Sequence, residues 1–102
     1  MVATRVTEGP AEATDQLDLA RAELGSSNAG DGARGLARLA LVLHLDPALA
    51  PAVLDALGPR RDPSALVLRG EAFLLLGRHL EAEAAFGAAG RALNGAIPDR
   101  PA

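Results

Sequence analysis

The chain has 102 residues, 49% of them apolar, with a formal charge of −3, arginine as its only cationic residue besides histidine, and no cysteine, tryptophan or tyrosine. That length sets a ceiling of one domain, the missing cysteine excludes a disulfide framework, a thiol nucleophile and a thiolate metal site, and an acidic balance with no basic cluster beyond Arg60-Arg61 argues against nucleic acid as a partner. No apolar run approaches the roughly 20 residues of a membrane span, and Met1 to Ala13 has mixed charge and no signal-peptide core, so the expectation is a cytoplasmic protein that does not engage membranes.

Residues 1–14 carry Gly9-Pro10 and no periodic pattern and read as a mobile lead-in. From Asp15, the spacing of Leu17, Ala20 and Leu24 predicts a first helix ending at Gly25, and Ser26 to Gly30 reads as a loop. Asp31 is expected to cap a second helix, in which Leu36, Leu39, Val42, Leu43 and Leu45 are apolar and Arg34 and Arg38 form a polar edge. That helix should stop before Asp46-Pro47, because the residue preceding a proline avoids helical dihedrals. Pro47 suits the first turn of a third helix, capped by Asp46 and running to Leu57 with Gly58-Pro59 as its stop. Pro51 lies close enough to that turn to shift the start by a few residues.

Asp62-Pro63 repeats the cap-then-proline opening and begins a fourth helix that runs to Leu76. A fifth runs from about Leu80 to Leu93, leaving 94–102 as a tail. Val and Ile are sparse and no segment alternates for long enough to be a strand. The predicted class is all-α, with about five helices and the helical domain at 15–93. Phe73 and Phe86 are the only aromatic residues, so alanine and leucine must build a core in which helices approach closely.

Gly77 follows the run Phe73-Leu74-Leu75-Leu76, and Leu80 to Phe86 opens a second apolar stripe, so a turn this short forces the last two helices antiparallel. Sliding the chain on itself by 47 residues places Leu19 on Leu66, Gly30 on Gly77, Leu39 on Phe86 and Val42 on Ala89. The first two helices read as a worn copy of the last two, with Glu23, Ser26 and Gly35 standing against Gly70, Phe73 and Ala82.

The spaced set Leu66, Gly70, Phe73, Gly77, Ala82, Phe86 and Ala89 resembles a tetratricopeptide repeat, with one good copy at about 63–93 and a degenerate one at about 16–47. The resemblance implies antiparallel helical hairpins stacked as a short right-handed solenoid. In it Gly70, Ala82 and Ala89 let the paired helices close up, and Phe73 and Phe86 are the large knobs. Arg69 stands before the central glycine where the family usually has an apolar residue, and the third helix lies between the two copies.

In this family the first helix of each pair lines a concave groove that binds peptides. The resemblance therefore assigns partner binding to Val67, Glu71, Leu74 and Leu75 on the fourth helix. Val67 and Glu71 replace the Lys, Arg and Asn with which such proteins clamp a C-terminal carboxylate, so the implied ligand is an apolar helix or strand. The fourth helix is apolar almost all round, and two arrangements satisfy that pattern. It is either enclosed by the second, third and fifth helices, or it keeps part of the Leu74-Leu75 face open for a partner or a second copy.

Reactive constellations are missing. His44 and His79 belong to different helical regions and read as helix-end or surface residues, with His79 packing as a small ring in the hairpin turn, so no metal site is expected. Glu81 and Glu83, two apart, point away from each other around a helix. Asp31, Asp46 and Asp62 are explained by capping, Gly25 to Gly35 lacks the order of a phosphate cradle, and Ser26 and Ser27 have no partner for nucleophilic catalysis. Arg60-Arg61 reads as solvated loop charge. The sequence thus predicts a non-catalytic interaction module without cofactor, serving as adaptor, dedicated chaperone or regulatory subunit for another protein. The alternative is a structural protein that pairs its apolar face in a homodimer.

Overall fold

The computed structural model describes the backbone of residues 2–96 and the side chains of 12–94 apart from Ala29. Five α-helices follow in chain order: α1 (Val2–Leu24), α2 (Ala29–Leu45), α3 (Ala50–Leu57), α4 (Pro63–Leu75) and α5 (His79–Ala96). A 3-10 turn over Pro47–Leu49 precedes α3, and no strand occurs among the described residues. Helices α1 and α2 form one antiparallel hairpin, α4 and α5 a second, and α3 lies between them in the chain and touches α1, α2 and α4.

Local chemistry explains most of the boundaries. The Asp46 carboxylate accepts from the Ala48 amide at 3.2 Å, as a cap should. An α-helix cannot run straight on from Pro47, since Pro51 has no N–H and its ring would meet the carbonyl four residues back. The chain therefore makes a 3-10 turn first, and α3 proper begins at Ala50. At the end of α4, Gly77 adopts φ +76°. Its amide donates to Leu74 O at 3.0 Å and the Arg78 amide to Phe73 O at 2.9 Å, the two bonds of a Schellman motif. The apolar contact that usually closes this motif is replaced by the Arg78 guanidinium, 5.1 Å from the Phe73 ring centroid.

Other boundaries differ from the sequence reading. Helix α1 begins at Val2 rather than Asp15 and passes through Gly9-Pro10 into the expected lead-in. Ala13 is already fully buried, four residues before Leu17, so core packing reaches further back than the polar pattern around Asp15 shows. At the start of α2 the N-cap position is held by Asn28, not Asp31, and the Asn28 side chain makes no capping hydrogen bond. Asp31 lies inside the first turn, where its carboxylate faces the positive end of the helix and pairs with Arg34 at 3.1 Å. The predicted tail at 94–102 starts within α5, and residues 97–102 lie outside the described ones.

One apolar core joins α1 through α4. It centres on Leu39, Val42, Val53 and Leu57, all but inaccessible, with Leu17 and Ala20 from α1 and Ala65, Leu68 and Ala72 from α4 around them. What α5 buries is alanine: Ala82, Ala85 and Ala89. Small residues permit close approach, and each hairpin has one position where only glycine fits. A Cβ on Gly35 would lie 2.8 Å from Leu24 Cγ, and one on Gly70 would lie 2.7 Å from the edge of the Phe86 ring.

Positions 47 residues apart in the two hairpins agree only in part. Gly35 is buried and small like Ala82, and Leu39 and Val42 are buried in α2. Leu19, however, is 46% exposed where Leu66 is buried, and Gly30 sits within α2 where Gly77 makes a turn. Phe73 and Phe86 are half-buried, Phe86 by its contact with Gly70. His79 is exposed at the start of α5 and does not pack as a core ring.

Two arginines hold separate elements together. Arg38 Nε donates to Glu23 at 2.6 Å and its Nη1 to Gln16 at 2.7 Å, clamping α2 to α1. Arg69 Nη2 donates to Gly58 O and Arg60 O, both at 2.8 Å, tying α4 to the loop that ends α3. An apolar residue at 69 would leave those two carbonyls without this donor, which accounts for the arginine before the central glycine.

Candidate functional site

Positions 67, 71, 74 and 75 recur at four, three and one residues, which places their side chains along one side of α4. Pro63 opens the helix at N1, while Asp62 sits at the N-cap position without the expected side-chain cap bond and pairs with Arg60 instead, and the Gly77 motif ends the helix just beyond Leu75. Helix α2 runs alongside, and its Ala37 and Ala40 are too small to fill the space between the two helices.

The result is a groove. One stretch of about 680 Å³ lies between Leu36 and Ala40 on one wall and Val67 and Glu71 on the other, with Leu93 of α5 at its end. A second stretch of about 350 Å³ shares Ala40 and Glu71 with the first and continues past Leu43, Leu74 and Leu75. Beyond Leu74 the surface falls into a third hollow formed with Leu80 and Phe86. All four residues expected to bind a partner therefore line one track. Val67 is half-buried and Glu71 is exposed.

Of the two arrangements open to α4, the structure has the open one at its C-terminal end. Ala65, Leu66, Leu68, Gly70 and Ala72 are covered, while Leu74 is 46% and Leu75 49% exposed. Burying a whole leucine side chain is worth about 1.5–3 kcal/mol, so these two half-exposed leucines hold about 1 kcal/mol each for whatever covers them.

Polar groups are few along the track. Glu71 makes no ion pair among the described residues. Arg60 Nε lies 3.5 Å from Asp62 at one end, and His44 is exposed beside Leu43 and Leu75 at the other. No group of three or more His, Cys, Asp or Glu side chains among the described residues is arranged to hold a metal ion. No helix of the described residues is long and apolar enough to cross a membrane. The chemistry on offer is desolvation of apolar surface around the Glu71 carboxylate, with the Arg60–Asp62 pair at one end.

Sequence reasoning missed Leu93 and Leu80. Leu93 follows Ala89 by four residues on the same side of α5, yet it is 52% exposed and lines the groove with Pro63 and Val67. Leu80 is 83% exposed, and its position two residues before buried Ala82 was the available signal that it faces outward.

The chain matches no family model, no curated protein and no solved structure.

Proposed function

We propose that the protein is a non-catalytic interaction module which binds an amphipathic helix or extended apolar segment of another protein in the groove between α2 and α4. The observation that carries this reading is the meeting of Val67, Glu71, Leu74 and Leu75 on one track, with Leu74 and Leu75 about half exposed. Half-covered leucines in a row along a groove supply the recurring anchor pockets that helix-in-groove recognition uses.

The proposed architecture behind it is a short tetratricopeptide-like stack. Two antiparallel hairpins and the close approach of Gly70 to the Phe86 ring support that arrangement. The position of Val67 and Glu71 where a carboxylate clamp would stand favours an apolar ligand over a free chain terminus. In such a role the protein is an adaptor, a dedicated chaperone or a regulatory subunit, working in the cytoplasm without a cofactor.

Affinity capture with the parent chain and with a Leu74→Arg, Leu75→Arg variant tests the reading, once circular dichroism has shown the variant to be folded. A protein retained by the parent and lost by the variant is the expected result, to be reproduced with that protein purified. Equal recovery by both sinks the groove assignment. Light scattering with refractive-index detection separates the homodimer: a dimer that the variant dissolves would transfer the groove from a foreign partner to a second copy.

A further inference from the structure

A second cleft, of about 590 Å³, lies on the other side of α4, between the loop after α3 and the outward face of α5. Four arginines border it, Arg60, Arg61, Arg69 and Arg91, against a single carboxylate, Glu81. Several of these charges are already committed. Arg69 holds the two loop carbonyls, Arg60 leans on Asp62, and Glu81 is taken by Arg78. Arg61 and Arg91 are exposed and form no ion pair among the described residues. A chain of net charge −3 thus carries a cleft in which arginines outnumber carboxylates four to one among the described residues. Leu66, Ala84 and Ala88 give the same cleft apolar lining.

We propose that this cleft is a second docking surface, which takes an acidic segment of another polypeptide with its carboxylates on Arg61 and Arg91 and an apolar side chain against Ala84 and Ala88. Guanidinium groups suit carboxylates because their forked donors match both oxygens at once. Ala84, Ala88 and Arg91 follow at four and three residues on α5, so one extended or helical segment meets the apolar lining and the cation together.

Charge complementarity alone would also fit a nucleic acid, but the lining does not. The cleft's one aromatic ring, Phe73, is half-buried and already carries the Arg78 guanidinium over one face, so it makes a poor platform for a stacked base. Glu81 and the overall negative charge repel a polyanion along its length.

The test is fluorescence anisotropy with three probes: a labelled peptide of glutamate and leucine, its glutamine counterpart, and a labelled single-stranded DNA. The glutamate peptide should bind at least about ten-fold tighter than the glutamine one and weaken as salt is raised. An Arg61→Glu, Arg91→Glu variant, checked for fold by circular dichroism, should lose about ten-fold or more in affinity. The Leu74→Arg, Leu75→Arg variant should bind like the parent, which keeps this cleft distinct from the α2–α4 groove. Equal affinity for both peptides, unaltered binding by the arginine variant, loss in the leucine variant, tighter binding of DNA, or no peptide binding at all would each overturn the proposal.

Discussion

Replacing Gly70 by alanine should change sign with its neighbour. In the parent chain the new Cβ would sit 2.7 Å from Cε1 and Cζ of Phe86 and 2.8 Å from Cδ1, well inside contact distance. Forcing a methyl group into such a contact costs about 1–3 kcal/mol, while exchanging a helical glycine for alanine returns about 1 kcal/mol through backbone entropy and propensity. The net expectation is a loss of about 1 kcal/mol, with repulsion from the ring outweighing the gain. With Phe86 first cut to alanine the obstruction is gone and only the propensity term remains, so Gly70→Ala should then stabilise by about 1 kcal/mol. The coupling in this double-mutant cycle is therefore about 2 kcal/mol.

Urea melts followed by circular dichroism at the helix band read all four chains, since without Trp or Tyr there is no useful intrinsic fluorescence. For a domain near this size 1 kcal/mol corresponds to about 4–8 °C in Tm, so thermal melts provide an independent check. If Gly70→Ala has the same effect in both backgrounds, Gly70 is not there to admit the Phe86 ring, and the packing account of the α4–α5 hairpin is wrong.

Two other glycines should diverge. Gly77→Ala must adopt φ +76° and should cost about 1–2 kcal/mol, whereas Gly90→Ala meets nothing within 4 Å inside α5 and should add up to about 1 kcal/mol, both read from urea midpoints. Arg69→Ala removes two charge-assisted hydrogen bonds in a half-buried setting and should cost about 2 kcal/mol in the same assay. Leu39→Ala, fully buried, should cost about 2–5 kcal/mol, while Leu74→Ala, already half exposed, should cost no more than about 1 kcal/mol. Similar losses for the two leucines would contradict the assignment of one to the core and the other to an open face.

The sequence was legible where a single residue type has one dominant use. Proline after aspartate marked where α4 and the 3-10 turn leading into α3 begin, Gly77 ended α4, and the apolar spacing of Leu36, Leu39, Val42 and Leu43 identified the buried side of α2. Side chains with several uses were misread. Asp31 has the chemistry of a cap and of a first-turn anion alike, and the choice fell to Asn28, which no local rule decides. Arg38 read as part of a polar edge and Arg69 as a departure from the family pattern, because their partners are distant in sequence: Glu23 and Gln16 on α1, and two carbonyls after α3. Helix α1 outran its expected start because Gly9-Pro10 signals a break while Ala13 already packs in the core. At the groove, the α4 residues Val67, Glu71, Leu74 and Leu75 came from the tetratricopeptide resemblance, whereas Leu93 joins them only through the packing of α5 beside α2 and α4, a tertiary fact.

The central claim is that the Leu74-Leu75 side of α4 meets another protein. Site-specific photo-crosslinking measures this most directly, with a benzophenone side chain placed at Leu75 in one chain and at Leu19, which is similarly exposed on α1, in another. The account predicts a discrete crosslinked adduct with a foreign polypeptide in cell extract from position 75 and none from position 19. Equal adducts from both positions, or an adduct from Leu75 with a second copy of the chain alone, would contradict it.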